Sequence, residues 1–147
     1  MEGKKPISVT AVTQQMQKEN NPLVDDDATI ILTYENSNAI LQPSWNWPIG
    51  RKDLEIYGTL GAIYADNSTN LRVRKSEGYD RYKEEKLELK PLDQPYNDPF
   101  HYFSAIINNE ISIQPSDLSS LENNMVVMEI LDSSKRSAKS KKTVVLR

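Results

Sequence analysis

The chain has 147 residues, 37% hydrophobic and 27% charged, with a formal net charge of −3, which suits one globular domain able to bury a core. It has no cysteine and one histidine, which excludes disulfides, thiolate chemistry, cysteine-based zinc sites and any two-histidine metal site or relay. No apolar run approaches the ~20 residues of a bilayer span, and the acidic balance gives no general attraction for nucleic acid or an acidic membrane surface.

The start, Met-Glu-Gly-Lys-Lys-Pro, lacks the apolar core of a secretion signal. The expected location is therefore cytoplasmic, and Asn67-Ser68-Thr69 reads as a chance sequon. Residues 7–13 alternate apolar and β-branched polar residues as a half-exposed strand does, and Asn20, Asn21 and Pro22 break it. Residues 28–34 and 39–45 are strands around the turn 35–38, a hairpin. Residues 54–57 and 61–65 flank Gly58-Thr-Leu-Gly61 and form a second hairpin. Residues 71–74 and 87–90 are shorter alternating pieces, with 75–86 between them as a charged, tyrosine-bearing loop.

The last third changes period. Pro99 starts a short helix through Phe103, Ile106 and Ile107 that ends at Asn108-Asn109. Asp117 or Ser119 opens a longer helix, and Ser119 with Glu122 fits a capping box. Leu118, Leu121, Met125, Met128 and Leu131 form an apolar stripe along one side of it. Lys135, Arg136, Lys139, Lys141 and Lys142 place cations at its negative end. Residues 143–146 read as a closing strand. Strands followed by helices predict an α+β domain over residues 1–147. Its architecture is an open-faced, mainly antiparallel sheet with helices on one face, a two-layer sandwich.

No glycine-rich loop opens a helix, so no phosphate cradle is encoded. Asp25-Asp26-Asp27 could hold a hard cation. The favoured reading is a solvated turn before a strand, since neighbouring carboxylates on an extended chain point to opposite faces. His101 could act as a general base or simply pack at a helix start beside Phe100 and Tyr102. The basic tail could meet phosphates or form a solvated, dipole-stabilising face.

Trp45 to Asp53 is the most informative candidate, because it spends both tryptophans of the protein beside Arg51 and Lys52. The indoles could cap the sheet core, with Arg51 paired to Asp53. They would also suit a polyhydroxylated ligand, whose C–H faces stack on indole while its hydroxyls need directed partners.

Several stretches together resemble the C-terminal domain of the glucose-fructose oxidoreductase / inositol dehydrogenase (Gfo/Idh/MocA) family. They are Pro6-Ile-Ser-Val-Thr-Ala-Val-Thr-Gln-Gln, Asp26-Asp-Ala-Thr-Ile-Ile-Leu-Thr-Tyr, Ser44-Trp-Asn-Trp-Pro-Ile-Gly-Arg-Lys-Asp and Ile56-Tyr-Gly-Thr-Leu-Gly. Later come Asp98-Pro-Phe-His-Tyr-Phe, Asp117-Leu-Ser-Ser-Leu-Glu-Asn-Asn and Glu129-Ile-Leu-Asp-Ser-Ser-Lys-Arg-Ser-Ala-Lys. The resemblance covers nearly the whole sequence and rests on the order and spacing of these pieces.

It implies a parent with an N-terminal Rossmann domain that binds NAD or NADP, carries a Glu-Lys-Pro motif with a catalytic lysine, and is followed by an Asp-x-x-x-His motif. None of these motifs occurs here, so the expectation is a C-terminal domain without its Rossmann partner. No catalytic, cofactor or metal residues are then expected, and no turnover by the chain alone. The substrate-pocket positions implied are Trp45, Asn46, Trp47, Arg51 and Lys52. The partners implied are the Rossmann domain, a sugar-like small molecule and further copies of the chain through the sheet face, in a dimer or tetramer. Where relatives show a glycine ending the long helix, this chain has Lys141. The function expected is the substrate-binding and oligomerisation half of a sugar or polyol oxidoreductase. The alternative is a non-enzymatic assembly module using the sheet face, and nucleic-acid binding by the basic tail is a third idea that the acidic balance opposes.

Overall fold

A computed structural model describes residues 5–146 and forms two compact units, Met1–Pro48 with Ser112–Arg147, and Ile49–Ile111. The α+β antiparallel class holds, with the strands grouped into two sheets.

In the first unit, Ser8–Gln14 (β1), Asp27–Thr33 (β2) and Asn38–Leu41 (β3) form an antiparallel meander. The β2–β3 hairpin follows its alternating pattern, but β3 is shorter than expected because Pro43 has no N–H for the ladder. The chain keeps only an isolated bridge between Asp27 and Ser44. The closing strand, Val144–Val145, lies against β1, so the sheet order is β3, β2, β1 and then this last strand. Register places Val9, Ala11, Ile30 and Leu32 on one face, where they make the buried core.

That face is covered by the helix Leu121–Ser140, and the covering side of the helix differs from the one its hydrophobic stripe suggests. Ser133, Ser134 and Ser137 are buried, while Ile130 and Ala138 pack against the strand residues. Leu121, Met125 and Met128, on the opposite side, are 73%, 62% and 60% exposed. Small serine side chains let the helix axis approach the sheet closely, and their hydroxyls find partners. Ser137 Oγ accepts from the Ala11 N–H at 2.9 Å and donates to the Lys142 carbonyl at 2.7 Å, tying strand, helix and helix exit together.

The helix starts one residue later than expected. Ser120 is the cap, accepting from the Asn123 N–H at 3.0 Å and donating to the Pro115 carbonyl, so the Ser119–Glu122 box does not form. At the other end Lys141 takes the left-handed conformation, φ 56° and ψ 34°, that glycine usually supplies. The geometry of the cap survives without the glycine.

In the second unit, Leu54–Gly58 (β4), Gly61–Ala65 (β5), Asn70–Ser76 (β6) and Tyr82–Glu88 (β7) form a sequential antiparallel sheet. Numbered after these, the last strand Val144–Val145 is β8. Residues 75–86 are not a loop, since β6 and β7 extend through most of that stretch. Cross-strand Arg74–Glu84 and Lys75–Lys83 positions place charges on both faces, which hides the apolar alternation that marks a strand. Gly61 sits where β5 meets β6, and a Cβ there would lie 2.0 Å from the Arg74 carbonyl oxygen. The helix Pro99–Ile107 (α1) opens on Asp98, whose carboxylate accepts from the Phe100 and His101 amides, and ends at Asn108 as expected. The long helix is α2.

Candidate functional site

Trp45, Asn46 and Trp47 belong to the first unit, and Arg51 and Lys52 to the second, so each group is described in its own unit. Trp45 is 75% exposed, and its N–H donates to the Asp26 carbonyl at 2.9 Å. The Asn46 amide donates to the same carbonyl at 3.2 Å and to Asp26 Oδ1 at 2.9 Å. Both Asn46 amide protons are thereby used, and its Oδ1 is buried with no hydrogen bond among the described residues. Trp47 is half-buried.

Asp26 is therefore not part of a solvated turn. It is 4% exposed, while Asp25 beside it is exposed. Its carboxylate also accepts from the Met16 N–H at 2.8 Å, the Gln17 N–H at 2.9 Å and the Asn21 amide at 3.3 Å. Led by the Met16 amide, these donors hold the Asp26 pKa down to about 2 against the opposing effect of burial. No group of three carboxylates and imidazoles among the described residues is arranged to hold a metal ion.

Arg51 makes a two-pronged ion pair with Asp53, Nε to Oδ1 at 2.9 Å and the second nitrogen to Oδ2 at 2.6 Å. The hydrogen bond from Arg51 holds the Asp53 carboxyl below the usual range. Lys52 is exposed. His101 is an exposed helix-start residue with Nδ1 3.7 Å from the Asp98 carboxylate. In the basic tail, Arg136 pairs with Asp132 at 3.0 Å on the same helix.

One cluster went unread in the sequence because it straddles the supposed loop. On one face of the second sheet the Tyr64 ring lies beneath Arg72 and Arg74 at 4.8 and 4.9 Å, with Tyr57 edge-on at 5.8 Å and Arg74 also over Tyr82 at 4.6 Å. Arg72 pairs with Asp66 at 2.6 Å and Arg74 with Glu84 at 2.7 Å, so each guanidinium carries its own counterion. The signal that could have found it is the alternation Arg72, Val73, Arg74. Its opposite face is apolar, with Leu54, Ala65, Leu71 and Leu87 in register.

The GFO/IDH/MocA C-terminal domain family profile matches residues 1–64. Nearly the whole chain, 98%, superposes on a Thermotoga maritima protein assigned as an oxidoreductase, with a TM-score of 0.74 at 19% identity. The chain shares its fold with this oxidoreductase structure, and its first 64 residues carry the likeness to the GFO/IDH/MocA C-terminal domain. The chain covers 42% of that Thermotoga protein, less than half its length. GenD2 from gentamicin A biosynthesis, solved with NAD, matches at TM-score 0.64 and 18% identity over 97% of this chain and 42% of its own. Gal80p, a transcriptional regulator of Kluyveromyces lactis, matches at 0.67 and 14% over 97% of this chain and 41% of its own. No curated protein matches the sequence.

In this chain neither described helix start is open to the pyrophosphate of a nicotinamide dinucleotide. The two described helices begin at Asp98 and Ser120, whose own side chains occupy the amides a pyrophosphate would need. No helix among the described residues is long and apolar enough to cross a membrane.

Proposed function

We propose that this chain is the substrate-binding and assembly half of an NAD- or NADP-dependent oxidoreductase acting on a sugar or polyol, without turnover of its own. The observation that carries the reading is the two-tryptophan segment leaving the first sheet, held by its backbone and by Asn46 while the Trp45 indole stays exposed. An exposed indole on a fixed backbone offers a stacking face for sugar C–H groups. In this reading Trp45, Asn46 and Trp47 form the ligand wall of the first unit. Arg51 and Lys52 are individual candidates for contacting hydroxyls.

The cofactor and the hydride chemistry belong to a separate nucleotide-binding domain. What supports such a partner is the outward side of α2, where Leu121, Met125 and Met128 stand uncovered. A homo-oligomer through the sheet face is supported by Val12, Ile31 and Ile40, which are exposed on the side of the first sheet away from α2.

Both tryptophans lie in the proposed wall, so their fluorescence tests it directly. Titration with myo-inositol and with glucose should shift or quench the emission, and Trp45→Ala should remove that response. NAD and NADP should bind no better than to an unrelated protein. Nicotinamide binding by this chain would overturn the assignment. Self-association by light scattering with no polyol response would instead favour an assembly module, the reading to which the fold shared with Gal80p lends support.

A further inference from the structure

We infer that Asp26 is a positioning residue: it sets the place and orientation of the Trp45–Trp47 segment through Asn46. The observation behind this is how completely the Asp26 residue is used. Its carboxylate and carbonyl receive six hydrogen bonds from two separate stretches of chain, and its N–H donates to Gln14 at 3.0 Å. Met16, Gln17 and Asn21 come from the turn after β1. Asp26 itself immediately precedes β2. Trp45 and Asn46 come from the segment leaving β3.

The last connection is the selective one. Asn46 lies between the two tryptophans, and its amide places one proton on the Asp26 carbonyl and the other on the carboxylate. A carboxylate at position 46 would meet a carboxylate, and an apolar side chain of the same size would leave Asp26 short of donors. The Asn46 N–H adds a 3.2 Å bond to Ser44 Oγ, next to the Asp27–Ser44 bridge. Trp45 cannot be fixed by packing, because its side chain is mostly in solvent. Its direction is therefore inherited from a backbone clamped on both sides of the Asp26 carboxyl.

What the indoles are positioned for rests on the polyol reading above; that they are positioned does not. The experiment keeps the two apart. Asn46→Leu should lower the tryptophan fluorescence anisotropy and remove the indole bands of the near-ultraviolet circular dichroism, while the far-ultraviolet spectrum stays that of the parent. Asp26→Asn should do the same. The exchange Asp26→Asn with Asn46→Asp rebuilds one amide–carboxylate bond and should recover the indole signals in part, which a role confined to the Met16–Asn21 turn would not predict.

If Asp26→Asn does not fold, Asn46→Leu decides alone, because it leaves the carboxylate with Met16, Gln17 and Asn21. Parental anisotropy and parental indole bands in a folded Asn46→Leu protein overturn the inference. So does an exchange variant that folds and recovers nothing. A parent protein with ordered indoles and no response to myo-inositol or glucose overturns the ligand reading and leaves the positioning role intact.

Discussion

Replacing Gly61 by alanine should break the second sheet at its β5–β6 seam. The added Cβ would lie 2.0 Å from the Arg74 carbonyl oxygen, 3.0 Å from its carbon and 3.2 Å from the Lys75 Cα, all backbone atoms that no rotamer change can move. Ordinary contact begins near 3.4 Å, so the two strands must part by about 1.4 Å at that point. The backbone at Gly61 also has φ +156°, where side-chain-bearing residues are rare. Strain of about 1–2 kcal/mol, overpacking of about 1–3 and the loss of a ladder hydrogen bond worth about 1 give a destabilisation of about 3–6 kcal/mol. That is a large part of the ~5–15 kcal/mol that holds a typical domain folded.

Hydrogen exchange is the suitable assay, because both tryptophans lie in the first unit and do not report on this sheet. Amides of β5 and β6 should lose protection in Gly61→Ala while those of β1 and β2 keep theirs. Gly58→Ala is the control, since its Cβ would meet only the Gly61 carbonyl at 3.8 Å. Parental protection across β5 and β6 in Gly61→Ala would refute the steric argument.

Lys141→Gly should raise the melting temperature by about 2–3 °C in a thermal melt. Relief of the left-handed strain outweighs the extra freedom glycine gives the unfolded chain by about 0.5–1 kcal/mol. Ser137→Ala should cost about 1–3 kcal/mol in urea unfolding, because the fully buried hydroxyl serves both the Ala11 N–H and the Lys142 carbonyl and nothing replaces it. Asp26 predicts an acid-sensitive fold. Its folded pKa of about 2 lies below the ordinary 3.8, so unfolding takes up a proton between those values. Its contribution is complete above pH 4 and is lost as pH falls toward 2. Equilibrium unfolding of the parent should weaken through that window, and Asp26→Asn should flatten the slope.

Local order was legible in the chain because it depends on neighbours in sequence. Alternation gave β1, the β2–β3 hairpin and the β4–β5 hairpin, and Asp98-Pro99 with Asn108-Asn109 bounded α1. The order of short motifs gave the family resemblance. Trp45 and Trp47 stood out by composition alone, and so did Arg51 with Asp53 two residues on.

Tertiary structure decided the rest, wherever the outcome turns on what a residue meets from far along the chain. The helix pattern of α2 says which residues share a side but not which side is covered, and the sheet took the serines because only small side chains let the backbones come close. The middle of three aspartates became a buried junction because donors from residues 16, 17, 21 and 46 converge on it. Asn46, read from sequence as a ligand donor, has both its protons committed to that junction, since a buried carboxylate needs donors and an amide between two indoles was within reach.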